Sequence, residues 1–199
     1  MNGEIPVLAG KRVVLRLLEG SDFDEWSAVR VRNERWLTPW EPRTLPGRPD
    51  VVRDRRAFAA RCSARMREAQ FGSGYGFGIF VDQAFAGEIN LTSIQRGPLQ
   101  CADIGYWIDQ KQAGNSYMPE SVVVVCRFGF ERLALHRLQV AIIPRNRNSR
   151  RVMEKLAFRE EGVAQRLVEI NGVWEDHVRY AITAEEWDVR RAELSAAWL

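Results

Sequence analysis

Apolar and polar residues alternate in two rhythms along the chain, one extended and one helical. Residues 11–17 (KRVVLRL) form an extended run rich in β-branched side chains. Ser21 follows as a predicted N-cap, with Asp22, Asp24 and Glu25 opening a helix that ends near Asn33. Residues 36–49 hold Pro39, Pro42, Pro46 and Pro49, which no helix interior or central strand tolerates, so a loop is predicted there. Asp50 is predicted to cap a second helix running to about Ala69, closed by a glycine-rich turn at 72–76.

The middle of the chain reads as sheet. Residues 77–82, 86–95 and 102–109 are apolar runs joined by turns short enough for an antiparallel meander. Beyond them, 116–132 predicts a helix with a broad apolar face, 137–143 a strand, and 149–156 a short helix. Strand, helix and strand in that order imply a parallel pair with a right-handed crossover. Residues 162–170 and 173–183 then form a hairpin turned by Asn171-Gly172, a type I′ signal. Residues 183–186 (TAEE) open a final helix with a capping box. The expectation is one α/β domain of the α+β kind over residues 1–199. Its central sheet is mixed, mostly antiparallel, flanked by helices, and contains one parallel strand pair.

Composition narrows the function classes. A chain of 199 residues, 46% hydrophobic and 28% charged, can bury a real core, which excludes disorder and coiled coil. Cys62, Cys101 and Cys126 are scattered without CxxC spacing, which predicts reduced thiols in a cytoplasmic protein. With only His136 and His177 as histidines, no metal site is expected. The net charge of +3 invites a nucleic-acid reading. The arginines at 53–67 and 145–151 are intermixed with other residue types, however, and lack an aromatic RNA-binding signature. The first cluster is read as a solvated helix face, and no direct nucleic-acid contact is expected. The longest apolar run, 122–126, is too short to cross a bilayer, and the first ten residues do not read as a signal peptide.

Three segments gather the candidate chemistry. The strand 102–109 (ADIGYWID) runs into the small-residue turn 112–120 (QAGNSYMPE) at a helix start. Free amides and the positive end of such a helix suit a pyrophosphate, and Pro119 removes only an N–H that had no partner. The third segment, 144–158 (PRNRNSRRVMEKLAF), follows the next strand.

Taken together, these motifs resemble the GNAT superfamily of N-acetyltransferases. They are similar, more narrowly, to its RimJ/RimL branch, which acetylates the N-termini of ribosomal proteins. The resemblance rests on the GYWI strand, Asn146-x-x-Ser149, residues 154–158 (EKLAF) and the hairpin 171–182 (NGVWEDHVRYAI), with 10–26 matching the first strand and helix. It implies a GNAT-type fold, with acetyl-CoA as co-substrate beside the parallel strand pair. It also implies a protein or peptide N-terminus as acceptor, and leaves room for a homodimer. The family's turn reads R/Q-x-x-G-x-G/A, and this chain departs from it. Ala113 stands for the first residue, Ser116 for the second glycine and Met118 for the last small residue. Main-chain donors can still bind phosphate there if Ser116 takes the required backbone conformation.

By the same resemblance the coenzyme-binding set is Trp107, Ile108, Asp109, Gly114, Asn115, Ser116, Tyr117, Met118, Asn146 and Ser149. Ser149 stands where the family places a hydroxyl that assists the leaving thiolate; otherwise it is the N-cap of the following helix. Asn146 either contacts the pantetheine arm or is a turn residue. Glu88 and Asp103 are the candidate bases acting through water, and each is alternatively an outward strand carboxylate. Trp36 and Trp40 either line the acceptor pocket or anchor their loop. Two other functions fit the same residues: acetylation of a small drug or polyamine, and a catalytically weak acyl-CoA-binding module.

Overall fold

The computed structural model of the chain describes residues 6–43 and 47–199. Residues 1–5, part of the leader-peptide reading, and 44–46, with Pro46, lie outside the described residues. Eight strands form one sheet: β1 (Leu8–Ala9), β2 (Val13–Leu17), β3 (Tyr75–Val81), β4 (Ala84–Gln95), β5 (Cys101–Ile108), β6 (Arg137–Ile142), β7 (Arg159–Ile170) and β8 (Val173–Thr183). Their order is β1-β2-β3-β4-β5-β6-β8-β7. Every neighbouring pair is antiparallel except β5 and β6, the one parallel pair that the strand–helix–strand order implies. Asn171 and Gly172 both take positive φ, as a type I′ turn demands.

Helices cover both faces. On one side lie α4 (Tyr117–Arg127), α5 (Arg147–Lys155) and α6 (Ala184–Trp198). Val122 to Cys126 of α4 are buried all round, packed with Leu15, Phe77, Ile89, Leu91, Leu138 and Ile182 of the sheet. On the other side, α1 (Phe23–Arg32) and α3 (Arg55–Phe71) bring Trp26, Val29, Phe58 and Cys62 onto Leu18, Phe80 and Phe85. Covered on both faces, β3 is buried at every residue, which its unbroken apolar sequence requires.

Local entries differ from the sequence expectations in instructive ways. The carboxylate of Asp54, not that of Asp50, caps α3 by accepting from the amides of Arg56 and Ala57. Asp50 closes the preceding turn instead, through the amide of Val52. Ser21 sits inside a 3-10 turn; Asp22 makes the entry to α1 by accepting from the amide of Glu19. The segment predicted as a loop from residue 36 begins as helix, with α2 (Glu34–Leu37) and a 3-10 turn at Thr38–Trp40. Pro39 is tolerated there because the first turn of a helix needs no N–H from it.

One buried carboxylate holds α4 to the sheet. Glu120 accepts from the amides of Arg12 and Val13 and from the Arg12 guanidinium, 2.9 Å away. Removing it strands buried donors, so Glu120→Ala is expected to destabilise the protein by about 2–3 kcal/mol. Thermal unfolding should fall by roughly 4–12 °C; a fall under about 2 °C would show that α4 is held by its apolar face alone.

Candidate active site

The sheet is not closed between β5 and β6. The two strands pair only from Cys101–Asp103 to Arg137–Gln139. Past that point Ile104 to Ile108 stay with β4 while Val140 to Ile142 stay with β8, so a wedge opens between them. Backbone groups on that side of β5 have no neighbouring strand to satisfy them. Gly87 on β4 lets β5 run close at its far end: a Cβ there would lie 2.3 Å from the carbonyl oxygen of Trp107.

The vertex of the wedge is tied by side chains. Asp103 accepts from the Gln139 amide at 2.7 Å, and the Gln139 oxygen in turn accepts from Arg137 and Arg179. Asp103 Oδ2 has no protein partner among the described residues. Glu88 is used more fully. Buried on β4, it accepts from the indole of Trp26 on one oxygen and pairs with Arg61 on the other. Trp107 turns its side chain to the α1 side, against Phe85 and under the Arg30 guanidinium, while Ile108 packs on the main core. Asp109 is buried too. Burial pushes its carboxyl up, but Arg32, Asn33 and the Lys111 amide outweigh this and hold it below the usual carboxylate range. Its carboxylate fixes the end of β5 to α1.

At the mouth of the wedge stands the start of α4. Ser116 has φ 65° and ψ 16°, the left-handed conformation that the departure from glycine put in question, and Gly114 has φ 88°. The amides of Tyr117 and Met118 have no carbonyl partner within the helix, and Pro119 has no N–H, so they face outward as donors. The Met118 side chain is buried in the core. Two cations that sequence reasoning missed brace this turn. Lys155 donates to Ser116 Oγ at 2.9 Å, and Arg12 donates to the carbonyl of Asn115 at 3.1 Å while lying 4.8 Å from the Tyr117 ring centroid. Ala113 brings no polar side chain where the family has arginine or glutamine; Lys155 brings a cation from elsewhere in the chain, while the charge of Arg12 is paired with Glu120. The turn therefore presents main-chain donors at a positive helix end, the arrangement that suits an anion, with basic side chains at its rim.

On the opposite side of the wedge, Asn146 caps α5 by accepting from the Ser149 amide at 3.1 Å. Ser149 is thus the third residue of the helix, and the N-cap alternative for it is corrected. Its hydroxyl instead donates to the phenol of Tyr106, 2.9 Å away across the wedge from β5. Farther out, Thr38, Pro39, Arg145, Ile170, Asn171, Val173 and Glu175 line a recess of about 260 Å³. Arg145 pairs with Glu175 at 2.6 Å and lies 4.9 Å from the ring centroid of Trp40. Trp36, on α2, is half-buried.

The site thus combines an open parallel strand pair, a helix start with free main-chain donors, and a hydroxyl on a second helix. Residues 12–159 match the model of the acetyltransferase (GNAT) domain, and the chain belongs to that family. It is 35% identical over 178 residues to the probable N-acetyltransferase YjcK of Bacillus subtilis, covering 88% of this chain and 96% of that one. It is 29% identical over 187 residues to the [ribosomal protein uS5]-alanine N-acetyltransferase of Escherichia coli, covering 90% and 92%. Among solved structures, Mycobacterium smegmatis RimJ in complex with CoA-disulfide superposes with a TM-score of 0.88 at 31% identity, covering 97% of this chain and 94% of that one. The protein is an acetyl-CoA-dependent N-acetyltransferase.

The turn before α4 depends on backbone shape more than on the Ser116 side chain. Ser116→Gly is expected to keep the acetyl-CoA Kd within about threefold, whereas β-branched Ser116→Val, disfavoured at positive φ, should raise it about tenfold. Equal Kd values for the two variants would contradict a main-chain cradle.

Proposed function

We propose that the chain acts as one unit, holding acetyl-CoA along the β5 edge with its pyrophosphate on the amides of Tyr117 and Met118. The acceptor is proposed to be the α-amine of a protein chain end, such as that of a ribosomal protein in the cytoplasm. The observation that carries this reading is the recess between Thr38–Pro39 and the β7–β8 hairpin, with Trp40 behind Arg145 and outside its lining. Arg145 in its wall directly precedes Asn146, the cap of the helix that carries Ser149. Ile170 and Val173 give that recess apolar surface for the residues of an extended chain end, and Glu175, paired with Arg145, lies in its wall. The E. coli relative named for uS5 alanine supports the same acceptor class.

Chemistry favours an α-amine as well. Its ordinary pKa is about 7.7–8.0 against about 10.4 for lysine, so near pH 7 it is far more often neutral and nucleophilic. Deprotonation then needs only a modest base through water. Of the two strand carboxylates, Asp103 with its free Oδ2 suits that part better than Glu88, both of whose oxygens are bonded. Ser149 donates to the sulfur as the thiolate leaves. The Asn146 side-chain oxygen caps α5, which leaves its NH₂ for the pantetheine amide.

The test compares one peptide with a free N-terminus against the same peptide blocked there but retaining lysine. The free peptide is expected to turn over at least about tenfold faster at pH 7. Preference for the blocked peptide or for a polyamine would move the acceptor to another class. No turnover of any amine, with acetyl-CoA still bound, would favour the binding-module reading.

A further inference from the structure

We propose that Tyr106 is a positioning residue for acetyl transfer, its phenol serving as the second hydroxyl of a chain that aims Ser149 at the leaving sulfur. The inference rests on the assignment of Ser149 above. Ser149 Oγ donates to the Tyr106 oxygen at 2.9 Å, and the Tyr106 hydroxyl donates to the Ser149 carbonyl at 3.2 Å. Tyr106 therefore touches α5 twice, both times at Ser149, and it does so from the strand on the other side of the wedge.

This geometry lets the two hydroxyls exchange partners without either losing one. In the resting arrangement the serine proton points at the phenol. As the amine nitrogen bonds to the acetyl carbon and the carbon–sulfur bond breaks, charge gathers on sulfur. Ser149 then turns its O–H toward the sulfur, and the Tyr106 O–H swings from the Ser149 carbonyl to the vacated Ser149 Oγ. A donor bonded from behind is a stronger donor in front, because hydrogen bonds in a chain polarise one another. The proton that the nitrogen sheds balances the one the thiol finally carries, and both hydroxyls keep their own. Burial raises the Tyr106 phenol well above its ordinary value, which keeps it neutral and able to donate throughout the working pH range.

A serine alone would lack this direction. With a phenylalanine at 106, the Ser149 hydroxyl would lose its partner on β5 and turn to a carbonyl of the preceding turn, as Ser63 and Ser121 do, and no phenol would support it when it turns to sulfur. Tyr106→Phe keeps the ring and removes only the hydroxyl, so packing survives.

The test is a double-mutant cycle on the full chain, following kcat, the KM for acetyl-CoA and thermal unfolding. Ser149→Ala is expected to lower kcat by about tenfold to a hundredfold. Tyr106→Phe should lower kcat by about three- to tenfold, the worth of one hydrogen bond, with KM changed less than about twofold. In the Ser149→Ala background Tyr106→Phe should produce no further fall. Equal losses in both backgrounds, a loss carried by KM, or full activity of Tyr106→Phe would each overturn the role of Tyr106 while leaving Ser149 in place. Full activity of Ser149→Ala would overturn both assignments.

Discussion

Everything at the site depends on where the β5–β6 pairing stops. Parallel neighbours in a sheet normally share hydrogen bonds along their length, and here the sharing ends at Asp103 and Gln139. Each strand then follows its antiparallel partner, β5 with β4 and β6 with β8. The result is a sheet that keeps a continuous core on one face while offering an unpaired strand edge in its middle. Such an edge is ordinarily a liability, since bare N–H and C=O groups seek a partner. In the proposed complex the partner is the amide-bearing arm of the coenzyme, and the edge becomes a binding surface. The side-chain ties at the vertex, from Asp103 through Gln139 to Arg137 and Arg179, keep the opening from closing or unzipping.

Two helix starts, those of α4 and α5, present different groups. The start of α4 presents main-chain donors in a shape set by the positive φ of Gly114 and Ser116. Glu120 fixes it against β2, and Arg12 and Lys155 brace it from both sides. The start of α5 presents a side chain, Ser149, held by the Asn146 cap and by Tyr106. On the proposed reading, binding and chemistry are thus separated onto two elements. Just before the α5 start, Arg145 bridges Trp40 and Glu175.

Much of this was legible in the sequence, because the signals were local. The Asn171-Gly172 turn, the Thr183–Glu186 capping box and the strand–helix–strand crossover each rest on a few adjacent residues, and each appears as expected. Positions where two good candidates stood close together were not decided by local chemistry. Asp50 and Asp54 are equally fit to cap, as are Asn146 and Ser149, and only the packed helix selects one. Contacts between distant segments left no signal at all. Glu120 reads as an ordinary acid in a first turn until β2, 107 and 108 residues away, brings two amides to it. Tyr106 reads as a strand aromatic until α5 arrives beside it.

In the proposed complex the β5 edge and the start of α4 together receive acetyl-CoA. Amide hydrogen exchange, followed with and without saturating acetyl-CoA, measures those groups directly. Protection is predicted to rise at Ile104 to Ile108 and at Tyr117 and Met118, with the outer strands β1 and β7 unchanged. Saturation of the protein with no added protection at either segment would contradict it.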